Sequence, residues 1–181
     1  MTTTMTGEKA DLVEILRRHR GFLLQTLEGL DREQATRRTT CSELDLAGLV
    51  KHVAETEATW IDFAARGAEA FAGAAFADVD WTDPEVLARA GEFRYREFHL
   101  TEDETVDGVL ARYAAVAAAT DELVATADLD AGHALPEAPW FEAGAVWSVR
   151  RVLLHVLAET AQHAGHADIL REAIDGAKTM G

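Results

Sequence analysis

The chain has 181 residues, of which 48% are hydrophobic and 27% are charged, a composition that excludes a disordered or fibrous protein and fits one domain over residues 1–181. The formal net charge of −15 disfavours nucleic acid and anionic membrane surfaces as partners, because an acidic surface repels phosphate. Cys41 is the only cysteine, which excludes an internal disulfide and a thiolate metal cluster. Without a leader or a membrane-spanning run, we expect a cytoplasmic protein.

The first part of the chain predicts two helices, because apolar residues recur there with helical spacing. We predict the first helix from Glu8 to Gly29 and a polar connector after it. Ser42 or Asp45 can accept a hydrogen bond from the free N–H groups of a second helix, which should reach about Arg66.

A weaker pattern extends from Gly67 to Leu100, where Asp83-Pro84 indicates the start of a short helix. We predict that this region is an excursion packed over one end of the bundle. Functional residues concentrate on such excursions, so we expect its aromatic side chains to cover the mouth of a site and shape substrate choice. The alternative is that they only close the end of the bundle. Those side chains are Phe76, Trp81 and Phe93.

The capping-box signature Thr101-x-x-Glu104 predicts a third helix that ends near Asp128. A long connector over residues 129–147 leads to a fourth helix. Four long helices with long connectors predict an all-α fold, a four-helix bundle, in which the order of the helices is left open. We expect residues 1–7 to be disordered.

The last helix carries an unusual set of polar residues on its core-facing side. Ser148 is its predicted cap and Asp175 its last residue, followed by Gly176 as a stop. At 100° per residue, His163 lies in the middle of the apolar stripe and Glu159 lies about 40° from it. An ionised carboxylate that faces the core needs a partner, and a metal ion would supply one.

The second helix places His52 at the edge of its own apolar face. Imidazole and carboxylate groups are common ligands of Zn²⁺, Fe²⁺, Mn²⁺ and Ni²⁺, and bundle cores often hold such ions. Glu159 and His163 stand one turn apart, so His52 would complete a set of two histidines and one carboxylate. We predict one divalent ion, with zinc as first choice and Ni, Mn or Fe as alternatives. Hydrogen-bonded core imidazoles are the competing interpretation.

Other residues qualify as additional ligands or catalytic groups. His155 and His166 lie at the edge of the stripe and are candidates for a further ligand. Glu57 and His166 are the candidate catalytic groups, although a salt bridge from Glu57 to an arginine is the favoured interpretation of that glutamate. Nothing around Cys41 except Arg37 and Arg38 would lower its thiol pKa, so we do not expect it to be a nucleophile.

Two stretches together resemble the DinB/YfiT-like superfamily of metal-dependent four-helix bundles. They are LDLAGLVKHVAETEATW, with His52, and SVRRVLLHVLAETAQHAGHADILREAIDG near the C-terminus. The resemblance implies a metal held by one histidine on the second helix and a His-x-x-x-His pair on the last. Here Glu159 stands first in that pair, as in the mycothiol-dependent maleylpyruvate isomerase relatives, so this position still offers a ligand.

The resemblance also implies a low-molecular-weight thiol, of the mycothiol or bacillithiol type, as cosubstrate for S-transfer to a small electrophile or for isomerisation. Metal-assisted hydrolysis, with Glu57 or His166 as base, is an alternative. A non-catalytic metal-binding stress protein is another, and a homodimer is left open.

Overall fold

The computed structural model describes residues 6–71, 80, 82–138 and 140–179. Helices dominate it, which confirms the all-α prediction. In chain order the elements are α1 (Glu8–Gln25), α2 (Arg32–Ala35), α3 (Leu46–Arg66), a 3₁₀ helix (Gly67–Phe71), α4 (Pro84–Glu97), α5 (Val106–Thr126), β1 (Gly132–Ala134), β2 (Val146–Ser148) and α6 (Val149–Asp175).

The four long helices α1, α3, α5 and α6 form the bundle. Helix α1 packs against α6 and α5, and α3 packs against the same two helices. Helices α1 and α3 are therefore diagonal partners, although they are consecutive long helices in the chain. This order differs from a simple up-and-down arrangement, and the long connectors make it feasible.

Several predicted helix ends are confirmed by side-chain caps. Asp45, rather than Ser42, caps α3 by accepting a hydrogen bond from the Gly48 N–H at 2.7 Å. Ser148 caps α6 through the N–H of Arg151 at 3.1 Å. Helix α6 ends before Gly176, whose φ of 80° is a conformation that glycine adopts without strain.

Two predicted boundaries were wrong. Helix α1 ends at Gln25, because the following residues tighten into a turn in which the N–H groups of Thr26 and Leu27 bond three residues back. Helix α5 begins at Val106 with Thr105 as its cap. Glu104 does accept a bond from the Thr101 N–H, at 2.9 Å, but that contact closes a separate turn before the helix.

The connectors contain structure that the sequence patterns did not reveal. Helix α2 is a single turn closed by a capping box between Asp31 and Gln34. The connector before α6 forms an antiparallel pair of strands, with His133 opposite Trp147. Helix α4 is a full 14-residue helix capped by Asp83, longer than the short helix predicted there.

The bundle centre holds a buried ion pair between the diagonal helices. The Arg20 Nε on α1 donates to Glu57 Oε2 on α3 at 3.1 Å, and a second guanidinium nitrogen contacts the other carboxylate oxygen. Thr120 on α5 donates to the same carboxylate at 2.5 Å. Burial together with the charge of Glu57 raises the pKa of the nearby Tyr113 hydroxyl above its usual range. These contacts tie three of the four long helices to one carboxylate.

Within the described part of the chain, no helix is both long and apolar enough to cross a membrane.

Candidate metal centre

His52 on α3 and Glu159 and His163 on α6 come together in the folded chain. One potential ligand atom from each of them lies within 4.8 Å of the other two, and all three side chains are partly buried. Nε2 of His163 lies 3.6 Å from Oε2 of Glu159. The rings of His52 and His163 meet edge to face, with their centroids 5.1 Å apart. These are the three residues that the sequence predicted as a ligand set.

The electrostatic surroundings keep both imidazoles in their neutral form. Burial lowers the pKa of His52 to about 4, with smaller contributions from repulsion by His163, when that ring is protonated, and by Arg94. Burial also lowers the pKa of His163, against the opposing charge of Glu159. A neutral imidazole keeps a free ring nitrogen for a metal, so protons compete weakly for these residues at neutral pH.

His166 lies beside the ligand group without joining it. Its Nδ1 is 3.4 Å from Nδ1 of His163, whereas Nε2 of His163 faces Glu159. The His166 side chain is exposed. This position suits a partner that orients the ring of His163, and the role of His166 as ligand or catalytic group stays a prediction.

His155 also stands apart from the ligand group, in an aromatic cluster. Its ring packs edge-on against Trp60, with centroids 4.7 Å apart, and against Trp147 at 5.2 Å. The two tryptophans stack on each other at 4.8 Å. The negative charge of Glu159 reaches the imidazole of His155, so this cluster borders the centre one turn along α6.

The salt bridge favoured for Glu57 is present, with Arg20 as the arginine. The side chain of Glu57 is fully buried and both carboxylate oxygens are engaged. A buried carboxylate whose oxygens are both engaged by Arg20 and Thr120 is not open to a reactant. These contacts favour a structural role for Glu57 over a catalytic one.

A family model described as mycothiol S-transferase matches residues 11–176 of the chain. The chain belongs to the mycothiol S-transferase family. This is a DinB-like family, so the match confirms the resemblance inferred from the second and last helices. Membership indicates a mycothiol-related, thiol S-transferase-like role.

A crystal structure of a conserved protein from Enterococcus faecalis has the same fold as this mycothiol S-transferase family member. The two chains are 15% identical, and the alignment covers 96% of this chain and 100% of the other with a TM-score of 0.62. At this identity the likeness concerns the fold alone. No curated protein matches the chain significantly.

Helix α4 contributes two neighbours of the centre that sequence reasoning missed. The ring of Phe98, at the C-terminal end of α4, stacks on His52 with centroids 3.9 Å apart. The guanidinium carbon of Arg94 lies 5.9 Å from the centroid of the same phenylalanine ring. No periodic signal marks either residue, because both reach the centre through a contact between distant parts of the chain.

The end of α4 contacts α3 at two residues that precede the candidate ligand His52 in the chain. The buried ammonium of Lys51 donates to the carbonyls of Arg96 and His99, at 2.7 and 3.1 Å, and pairs with Glu104 at 2.8 Å. Gly48 has no side chain at a point where an added Cβ would lie 1.8 Å from the carbonyl oxygen of Phe98. Both features hold the Phe98 ring in place over His52.

The prediction that the excursion covers the site through three aromatic residues stays a prediction. Phe76 and Trp81 lie outside the described residues. Phe93 is 67% exposed on α4. Within the described residues, the excursion reaches the candidate ligands through Phe98.

Proposed function

We propose that the protein is a divalent-metal-dependent thiol S-transferase that transfers a mycothiol-type thiol to a small electrophile. His52, Glu159 and His163 would hold one ion, with zinc as the first candidate. The observation that carries the proposal is the convergence of these three side chains in a chain that belongs to the mycothiol S-transferase family. Isomerisation assisted by the same thiol is a variant of this chemistry.

The donor set fits a divalent ion. Two ligand atoms bound at about 2.1 Å to a tetrahedral ion lie about 3.4 Å apart. The distance of 3.6 Å between Glu159 and His163 is already close to that value, and the upper limit of 4.8 Å for the group requires side-chain adjustments of little more than 1 Å. Two neutral imidazoles and one carboxylate also form a usual ligand set for zinc and for other transition metals.

Each side chain has a defined task in this proposal. The low pKa of His52 leaves its ring nitrogen free of a proton at neutral pH. Phe98 covers one face of that ring, which excludes water and fixes the orientation of the imidazole. Glu159 brings a single negative charge, so that a divalent ion would retain positive charge for an anionic reactant.

The chemistry requires a thiolate, because the protonated thiol is a weak nucleophile. A bound divalent ion would supply Lewis acidity that lowers the pKa of a thiol toward neutrality. Among residues 6–71, 80, 82–138 and 140–179, the group contains three potential ligands. Three protein ligands leave a coordination position for a reactant, as in catalytic rather than structural zinc sites.

The test is a set of S-conjugation assays with purified protein. Metal-free protein and protein reloaded with Zn²⁺, Ni²⁺ or Mn²⁺ are mixed with mycothiol, with bacillithiol or without thiol, and a panel of electrophiles is monitored for thiol consumption. We expect turnover that requires both metal and thiol. Turnover without added thiol would support metal-assisted hydrolysis instead. Tight metal binding with no reaction for any thiol would contradict the transferase proposal.

A further inference from the structure

Arg94 on α4 has no direct contact with a carboxylate in the part of the chain that the structure describes. Within residues 6–71, 80, 82–138 and 140–179, its guanidinium forms no hydrogen bond or ion pair with an acidic side chain, and it interacts with Glu97 only through space. This is notable in a chain with 32 acidic and 17 basic residues. Arg66 and Arg112 pair with carboxylates, whereas Arg89 on α4 resembles Arg94 in having no ion pair among the described residues.

Arg94 differs from an ordinary surface arginine because it lies next to an aromatic ring that borders the candidate metal centre. Its guanidinium lies over the ring of Phe98, and that ring stacks on His52. The charge of Arg94 also acts on the imidazole of His52. Arg94 therefore stands one aromatic ring away from the candidate metal centre. Arg89, five residues earlier on α4, is exposed like Arg94 but has no such contact among the described residues.

A groove lies beside Arg94 and has room for part of a small molecule. Its volume is about 460 Å³, and Arg94, Phe98, His99 and Leu44 are among the residues that border it. The carboxylate of Glu43 also borders the groove, but Arg38 lies 3.8 Å from it and offsets part of its charge. The contacts of Lys51 and Gly48 with the end of α4 hold the groove's wall in place.

We propose that Arg94 binds a carboxylate carried by one of the two reactants and so selects anionic substrates for the centre. Guanidinium groups form paired hydrogen bonds with carboxylates, which gives an arginine directional preference as well as charge. The ring of Phe98 supplies an apolar surface for the part of the reactant next to that carboxylate. This proposal rests on the transferase function proposed above.

The first test measures binding to metal-free protein and needs no activity. Dissociation constants are determined by ligand-observed NMR for the matched pair benzoate and benzamide. We expect benzoate to bind about 2- to 5-fold more tightly than benzamide, the preference typical of an exposed ion pair. The Arg94→Gln variant should lose that preference.

Arg89→Gln is the matched control, since it removes the same charge from the same helix. It should keep the preference for benzoate. Equal binding of benzoate and benzamide to the parent protein would overturn the proposal. Equal loss of the preference in Arg94→Gln and Arg89→Gln would also overturn it, because the general charge of α4 would then explain the effect.

Kinetic arms identify which reactant carries the carboxylate. One arm compares 4-chloro-3-nitrobenzoate with its amide as electrophile and mycothiol as thiol. The other compares N-acetylcysteine with its amide as thiol and a neutral electrophile. Arg94→Gln should reduce the carboxylate-to-amide ratio of kcat/KM in one arm and leave it unchanged in the other. An unchanged ratio in both arms would overturn the proposal.

The two proposals fail in different ways. If benzoate binds selectively through Arg94 but the protein never consumes thiol, the transferase function is wrong and the anion site stands. If the protein conjugates thiols but does not distinguish carboxylates from amides, the transferase function stands and the role of Arg94 is wrong.

Discussion

Replacement of Gly48 by alanine should destabilise the protein and disturb the candidate metal centre at the same time. The added Cβ would lie 1.8 Å from the carbonyl oxygen and 2.4 Å from the carbonyl carbon of Phe98. Ordinary contact requires at least 3.4 Å, so the two backbones must separate by about 1.6 Å. A rotamer change cannot relieve the clash, because the atoms involved belong to the backbone.

The expected magnitude follows from two opposing effects. Crowding a packed site costs about 1–3 kcal/mol, whereas the higher helix propensity of alanine returns at most about 1 kcal/mol. We expect a net loss of about 1–2 kcal/mol in the free energy of unfolding. For a chain of this length, that corresponds to a fall in Tm of roughly 2–8 °C. Phe98 should also move away from His52, which should weaken metal binding about 10-fold or more.

Thermal and urea unfolding of the metal-free protein measure the first effect, and zinc titration measures the second. Gly21→Ala is the matched control, because Gly21 lies within α1 and no atom lies within 4 Å of its added Cβ. That variant should be as stable as the parent or more stable. A Gly48→Ala protein that equals the parent in both stability and zinc affinity would refute the reasoning about the α3–α4 contact.

Two further predictions concern the buried charges and the histidines. Arg20→Met should lower the free energy of unfolding by about 3–5 kcal/mol, because it leaves the Glu57 carboxylate uncompensated in the core. The control Arg18→Met breaks only an exposed pair with Glu14 and should cost less than about 1 kcal/mol. Similar losses for the two variants in urea denaturation would contradict this reasoning. The metal-free protein should lose stability as the pH falls from about 6.5 toward 4. In that interval His52 takes up a proton in the unfolded chain but not in the folded protein, where its pKa is about 4. Urea denaturation at pH 7.5 and pH 5 should therefore show a smaller loss for His52→Gln than for the parent, and equal losses would count against a buried neutral imidazole.

The grouping of the candidate ligands could be predicted from sequence because its signal is local. Glu159 and His163 are one helical turn apart on an apolar stripe, so helix geometry alone places them together. The cap at Asp45 similarly follows from a preference at one helix end. The prediction of His52 also required the assumption that the apolar faces of two helices pack against each other.

The residues that surround the ligands could not be found in this way. Phe98 and Arg94 approach the centre because the end of α4 contacts α3, where Lys51 donates to its carbonyls, and no spacing rule describes such contacts. The close approach at Gly48 leaves no mark in the sequence beyond a glycine in a helix. The strand pair before α6 was missed because each strand has only three residues, too few for an alternating pattern.

Metal titration of variants tests most directly whether His52, Glu159 and His163 bind one divalent ion. The parent should bind one Zn²⁺ per chain. Glu159→His should retain the ion, because it recreates a His-x-x-x-His pair on the same face. Glu159→Gln should lose more than the 10–100-fold typical of a residue that only orients a ligand, while His166→Ala should stay within that range. A Glu159→Gln protein that binds zinc as tightly as the parent, beside a His166→Ala protein that does not bind it, would contradict the assignment of Glu159 as a ligand.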